Sequence, residues 1–176
     1  MMKMNRKLLG AVALFAMFSA FEANAQETRN LNVTAEVLEA CVIDSPATID
    51  MAFGALDAVL GSDGLGADYV LTADFDFHCT ADTAVNVELG LGAGAGATLA
   101  TRIMNGAGTN TLAYRLETTG GADWGTTAQT AAVPMTATGW ATTDTATIQG
   151  RITTAQVAAA AVDATYQDTV LITLTL

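Results

Sequence analysis

The chain has 176 residues, with 7 basic against 18 acidic residues, and its formal net charge is −11 at pH 7. So acidic a protein repels polyanions, which excludes nucleic acid and anionic membrane surfaces as partners. The length is sufficient for one domain with a hydrophobic core, but leaves little room for a second domain.

The N-terminal segment, residues 1–25, has the pattern of a secretory signal. Three basic residues precede an apolar run, residues 8–18, and the small-residue triplet "ANA" ends at Ala25. The run is too short to span a bilayer, so we expect cleavage before Gln26 and no membrane insertion. Cleavage would leave 151 residues with no lysine and a net charge of −13.

Two cysteines, Cys41 and Cys79, remain in the exported chain. Paired thiols usually become a disulfide in an oxidising compartment, and only one pairing is possible here. Closing a loop of about 38 residues would stabilise the fold by roughly 4 kcal/mol. We therefore predict a Cys41–Cys79 disulfide, with two free buried thiols as the alternative.

Short runs with apolar residues at every second position recur through the exported chain and predict β-strands. The first, "LNVTAEV", places Leu31, Val33, Ala35 and Val37 on one face of a half-buried strand. Further strands are predicted in "VLTADFDFHC", "AVNVEL", "TLAYRL", "TATIQGRI" and "YQDTVLITLTL". The alanine-rich stretch "TTAQVAAAAVDA" is ambiguous between a helix and an irregular connection. About seven short strands predict an all-β, antiparallel sandwich of immunoglobulin type.

The closing run "YQDTVLITLTL" places Val170, Ile172, Leu174 and Leu176 on one face. No hairpin return follows this strand in the sequence. We therefore expect its open side to be covered by an earlier segment of the chain or by a segment of another molecule.

Residues suited to catalysis are scarce. His78 is the only histidine, so no serine or cysteine nucleophile can be paired with a second one. His78, Asp74 and Asp76 share one strand face, but ligands along a flat strand do not converge on a metal ion without help from a neighbouring strand. The glycine run "GLGAGAGATLA" lacks the spacing of a phosphate-binding loop. We expect no enzyme activity, no metal and no cofactor.

A set of motifs in a particular order resembles the spore coat protein U family, which includes the major subunits of archaic chaperone-usher pili. The motifs are Cys41-Val42, Phe53-Gly54, Cys79, Arg102 with Met104, Leu112 with Tyr114, Trp124-Gly125, Gly150-Arg151-Ile152, Gln156 and the Tyr-x-Asp-x-Val of "YQDTV". The resemblance covers essentially the whole exported chain. It implies an incomplete immunoglobulin-like sandwich, residues 38–176, that lacks its last strand.

The resemblance also implies partners for this open sandwich. A periplasmic chaperone would first fill the groove beside Val170, Ile172, Leu174 and Leu176, and an outer-membrane usher would direct assembly. Another copy would then fill the groove with its N-terminal extension, residues 26–37, through the apolar face defined above for "LNVTAEV". The domain's own first strand would lie around residues 41–43. The product would be a surface pilus that serves adhesion or biofilm formation.

Two alternatives remain at this point. Residues 31–37 could be the first strand of their own domain, which would give a self-complete, secreted spore-coat or matrix protein. The chain could instead be a tip adhesin that binds a surface glycan through Trp124, Trp140 and the glycine-rich loops. Exposed tryptophans would favour the adhesin, and buried tryptophans the shaft of a pilus.

Overall fold

A computed structural model describes residues 27–176. The predicted signal, residues 1–25, lies outside the described residues. The chain divides after Glu36 into two compact units. In the described part of the first unit, residues 27–36, Leu31 and Val33 are 87% and 80% exposed and no helix or strand is formed. Residues 37–40 of the second unit also contain neither. The predicted half-buried strand over residues 31–37 is therefore not formed, because alternation is a local pattern and a strand also needs a backbone partner.

The second unit, residues 37–176, contains eight strands and one α-helix. The elements are β1 (Cys41–Ile43), β2 (Tyr69–Cys79), β3 (Ala84–Leu89), β4 (Arg102–Asn105), β5 (Thr111–Thr118), β6 (Val133–Thr136), β7 (Asp144–Ile152), α1 (Thr154–Ala159) and β8 (Ile172–Thr175). The sequence pattern predicted β2, β3, β5, β7 and β8, and the family resemblance implied β1, whereas β4 and β6 were not predicted. Both are four residues long, too short to show a clear alternation.

The strands form two sheets in which every pairing is antiparallel. The larger sheet has the order β1-β2-β7-β5-β4, and the smaller has the order β6-β3-β8. One hydrophobic core draws buried side chains from both sheets. The predicted all-β antiparallel sandwich is confirmed.

The core follows the alternation of the strands. In β2, Phe75, Phe77 and Cys79 are buried, whereas the side chains between them lie on the outer face. Trp124 follows β5 and is 2% exposed, and its indole N–H donates to the carbonyl of Val87 in β3 at 2.8 Å. This contact joins the two sheets through the core.

The ambiguous alanine-rich stretch begins as the helix α1. Thr153 caps it, because its hydroxyl accepts from the backbone N–H of Gln156 at 3.1 Å while the Gln156 side chain accepts from the N–H of Thr153 at 2.7 Å. The helix ends at Ala159, because the backbone of the next residue, Ala160, is extended. Within residues 27–176, no helix has both the length and the apolar character needed to cross a membrane.

Candidate functional site

The terminal strand β8 lies at an edge of the smaller sheet. It pairs with β3, with Ile172 opposite Leu89, and within residues 37–176 no strand pairs with its other edge. The side chains of Val170, Ile172 and Leu174 pack against the core but stay half-buried, whereas Leu176 is 59% exposed. An edge with inward-facing apolar side chains can accept a further strand.

The core is also covered by an irregular segment that follows β1. Met51 and Phe53 of this segment lie over Gly150 of β7, where any Cβ would collide with their side chains. Both side chains are half-buried and pack against the core. Glycine at position 150 therefore lets this segment approach the inner face of the larger sheet closely.

The approach to β8 is held by the carboxylate of Asp168. One of its oxygens accepts from the Tyr114 hydroxyl of β5 at 2.6 Å, and the other accepts from the N–H of Ala93, beyond β3, at 2.7 Å. Burial raises the pKa of Tyr114 far above its ordinary value, and the hydrogen bond to Asp168 adds to this. One carboxylate therefore joins β5 of the larger sheet to the loop that follows β3, just before the terminal strand begins.

Two further contacts fix the same approach. The backbones of Gln167 and Asn105 exchange hydrogen bonds of 2.9 and 3.0 Å at the edge of β4. The carboxylate of Asp163 accepts from the side chain of Asn110 at 3.0 Å and from the N–H of Ala107. Hydrogen bonds from Asn110 and Thr165 lower the pKa of Asp163. The position of β8 is thus set by contacts that precede it.

The Tyr114–Asp168 hydrogen bond can be tested with Tyr114→Phe, which removes only the hydroxyl. We expect the free energy of unfolding to fall by about 1.5 kcal/mol, because the buried hydroxyl donates to a carboxylate. Urea denaturation followed by tryptophan fluorescence measures the change. The matched control is Tyr166→Phe, whose hydroxyl donates to the carbonyl of Ala161 at the surface. The control should change stability by about 0.5 kcal/mol or less, and equal effects of the two variants would contradict the assignment.

Arg102 is a fully buried cation that donates to backbone carbonyls. Its guanidinium reaches Gly90 at 3.0 Å, Leu89 at 3.4 Å and Trp124 at 2.5 Å. Burial lowers the pKa of Arg102, and nearby Tyr114, Asp123 and Asp168 act in the opposite direction. The side chain joins β4 to the end of β3, beside the start of β8.

In the sequence, Arg102 and Asp168 are members of the motifs that resemble the family, but the motifs assign neither residue a role. A signal was available for Arg102. It is one of only four basic residues in residues 27–176, and it lies in the apolar context "TRIM". No comparable signal exists for Asp168, whose partner Tyr114 is 54 residues away.

The predicted disulfide is present. Cys41 and Cys79 face each other across β1 and β2, with Cα atoms 4.1 Å apart. Cys79 is fully buried. Since β1 has only three residues, the disulfide supplements a short strand pairing with a covalent attachment to the sheet.

The polar face of β2 carries structural contacts. Asp74 and Asp76 accept from the hydroxyls of Thr147 and Thr145 at 2.7 Å, and His78 pairs with Asp44 at 2.7 Å. No group of three metal-binding side chains that could hold an ion occurs in the part of the chain that the structure describes.

Glu117 is the buried acid on the outer face of the larger sheet, with 1% of its surface exposed. Burial acts to raise its pKa, but hydrogen bonds from Arg151 at 2.5 Å and Gln149 at 2.8 Å outweigh this and lower it. The carboxylate is therefore ionised and paired, which is an arrangement that stabilises a sheet rather than one that transfers protons.

The two tryptophans differ in exposure. Trp124 is buried, whereas Trp140 is 53% exposed and packs edge-on against the ring of His78, with centroids 4.4 Å apart.

Comparisons with known proteins agree with this architecture. One similar solved structure is the CsuC-CsuE chaperone–tip adhesion subunit pre-assembly complex from archaic chaperone-usher Csu pili of Acinetobacter baumannii, with a TM-score of 0.51 and 20% identity. The match covers 80% of this chain and 40% of the matched chain, so this chain spans less than half of that protein's length.

A second similar structure is a chaperone-usher pilus described in relation to rod uncoiling. It has a TM-score of 0.50 and 14% identity, over 85% of this chain and 96% of the matched chain. No protein of curated function has a matching sequence. A sequence profile of the Spore Coat Protein U domain matches residues 27–173. The chain therefore belongs to the Spore Coat Protein U domain family.

Proposed function

We propose that this chain is a structural, non-enzymatic subunit of a surface pilus, assembled by the chaperone-usher pathway through donor-strand exchange. The observation that carries the proposal is the edge of β8, where Val170, Ile172 and Leu174 are half-buried beside an edge that no strand of residues 37–176 covers. Two neighbours in fold support it, since one comes from a chaperone–subunit complex and the other from an assembled pilus.

The donor would be residues 26–37 of another copy. Leu31 and Val33 are exposed in a segment without strand structure, and Val37 is 82% exposed. With Ala35, these side chains recur at the two-residue interval that a strand inserted beside β8 requires. Each buried apolar side chain contributes roughly 1.5 to 3 kcal/mol. Three or four of them match the net stability of a typical domain, which is about 5 to 15 kcal/mol.

The same reasoning explains the proposed partners. A subunit with an uncovered edge needs a temporary strand, which a periplasmic chaperone would provide until an outer-membrane usher directs the exchange. Each copy would then donate one segment and accept another. Such a head-to-tail contact repeats into a fibre when its rotation does not close into a ring. A role in adhesion or biofilm formation would follow from display of the fibre at the cell surface.

Trp140 favours a second candidate, a tip adhesin that binds a surface glycan. Its ring is 53% exposed, and an exposed aromatic face can stack on a sugar. Quenching of tryptophan fluorescence by added oligosaccharides, lost in Trp140→Ala, would support this candidate over the shaft subunit. Trp124 cannot contribute, because it is buried in the core.

Deletion of residues 26–37 tests the proposed exchange. Material from the intact chain should run as a ladder on denaturing electrophoresis without boiling and collapse to one band after boiling. The deleted chain should lose the ladder, because no copy can then donate a strand. It should remain a monomer that binds a synthetic "NLNVTAEV" peptide.

The matched control is the peptide with Val33→Asp and Val37→Asp, which has the same length but places charge in the groove. It should not bind. If the intact chain is instead a monomer that stays folded without chaperone or peptide, residues 31–37 close their own sandwich. The self-complete coat or matrix protein would then be the correct assignment.

A further inference from the structure

The loop between Asp57 and Asp68, residues 57–68, presents three apolar side chains to solvent. Val59 is 82% exposed, Leu60 is 54% exposed and Leu65 is 90% exposed. We call residues 57–68 the apolar loop. Scattered single apolar residues are common on protein surfaces, but three within seven positions concentrate exposed apolar area in one loop.

The apolar loop is held in shape by its own hydrogen bonds. The Asp57 carboxylate accepts from the N–H groups of Val59 and Leu60 at 2.7 and 2.8 Å. The Tyr69 hydroxyl accepts from the N–H of Asp57 at 2.7 Å and donates to the carbonyl of Gly61 at 3.0 Å. The apolar side chains are therefore displayed on an organised backbone. Binding of a partner then costs less conformational entropy, because the loop is already ordered.

The strand order places the apolar loop at the end of the sandwich where β8 begins. The loop leads directly into Tyr69, the first residue of β2. β2 runs away from the loop to Cys79, and β3 returns after a short turn. The last residue of β3, Leu89, faces Ile172, the first residue of β8. We call this the loop end, and the opposite end, which carries the disulfide, the disulfide end.

A strand donated by another copy would run along β8 of the accepting copy, and its C-terminal end would lie at the loop end. All six strand pairings in the two sheets are antiparallel. A strand that continues this pattern runs opposite to β8 and finishes beside the start of β8. In the donating copy Cys41 follows Val37 by four positions, which span at most about 14 Å. The disulfide end of the donor is therefore held close to the loop end of the acceptor.

The disulfide end has exposed apolar side chains of its own. Trp140 is 53% exposed, and Val42 and Ile43 in β1 are 45% and 47% exposed. We infer that the apolar loop of the accepting copy packs against Trp140 and β1 of the donating copy, so that a second interface beside the donated strand sets the angle between consecutive copies. The inference deepens the proposed function and rests on it.

Two acidic copies repel each other, so a contact between them requires attraction from buried apolar surface. Each exported copy has a net charge of −13, so two copies repel each other. In the apolar loop the carboxylate of Asp57 accepts from backbone amides, and at the disulfide end Asp44 pairs with His78. Burial of Val59, Leu65 and Trp140 supplies the attraction that such charged surfaces lack.

A cysteine pair tests the contact in the full-length exported chain. Leu65→Cys combined with Trp140→Cys should give a ladder that resists boiling under non-reducing conditions and collapses with reductant. Each single variant should show only the boiling-sensitive ladder. In the matched control, Thr119→Cys replaces Leu65→Cys at the exposed turn after β5, outside the apolar loop, and no boiling-resistant ladder should form.

The outcomes separate this inference from the proposed function. Absence of the boiling-sensitive ladder in the wild-type chain would contradict donor-strand exchange itself. A normal boiling-sensitive ladder without cross-linking in the double-cysteine variant would overturn only the interface. A second variant, Val59→Asp with Leu65→Asp, should keep the boiling-sensitive ladder and produce more flexible fibres by electron microscopy. Fibres as stiff as those of Thr119→Asp with Ala122→Asp, which adds the same charge at the exposed turn after β5, would also overturn it.

Discussion

Replacement of Arg102 by methionine is expected to lower the free energy of unfolding by about 3 kcal/mol, because buried carbonyls would lose their hydrogen-bond donor. Methionine is similar in length and fills much of the space, so the loss reports hydrogen bonding more than an empty cavity. The carbonyls of Gly90 and Trp124, which accept at 3.0 and 2.5 Å, would be left without this donor in the core. Urea denaturation followed by the fluorescence of Trp124 measures the change.

Arg115→Met is the matched control for this variant. Arg115 is partly exposed and pairs with Asp123 at the surface. Its replacement should cost about 1 kcal/mol or less, because surface ion pairs contribute little. If Arg102→Met were as stable as Arg115→Met, the buried guanidinium would have no structural role. Arg102→Lys should also be destabilising, since one ammonium group cannot replace a guanidinium that donates to carbonyls on two separate segments, Leu89–Gly90 and Trp124.

Removal of the disulfide by Cys41→Ala with Cys79→Ala should have a comparable or larger effect. The bridge closes a separation of 38 residues. Loss of that constraint on the unfolded chain is expected to cost about 4 kcal/mol. We also expect β1 to separate from β2 before the rest of the sandwich unfolds, because only three residue pairs hold it. Thermal unfolding measures the first effect, and amide hydrogen exchange in residues 41–43 measures the second.

Reductant provides the control for the disulfide. The wild-type chain treated with dithiothreitol should unfold at the same urea concentration as the double-alanine variant, and the variant itself should not respond. A double-alanine variant as stable as the oxidised wild-type chain would contradict the prediction. In that case the pairing of β1 with β2 would be sufficient to hold the first strand.

Much of the fold could be predicted from the sequence because its longer strands alternate clearly. In β2, Phe75 and Phe77 face the core while Asp74 and Asp76 face outward, a pattern visible in the letters alone. The four-residue strands β4 and β6 give no such signal. Residues 31–37 alternate equally well yet form no strand, since backbone pairing depends on a partner that a local pattern does not specify.

The candidate site could be predicted only in part for a similar reason. Apolar residues at every second position predict that Val170, Ile172 and Leu174 share one face of the strand, and this face is half-buried. The contacts that hold the strand in place could not be predicted in this way. Asp168 accepts a hydrogen bond from Tyr114, 54 residues away, and Arg102 donates to the carbonyls of Gly90 and Trp124. Such long-range contacts become visible only once the two sheets are stacked.

The anchoring of the terminal strand by residues that precede it has a consequence for how such subunits can diverge. Asp163, Gln167 and Asp168 determine where the strand lies, whereas Val170, Ile172 and Leu174 determine what can lie beside it. The position of β8 and its fit to a neighbouring strand therefore depend on different residues, which are close in sequence. Substitutions in β8 can change which strand fits beside it while the edge stays in place, so a new pairing specificity can arise without a new fold.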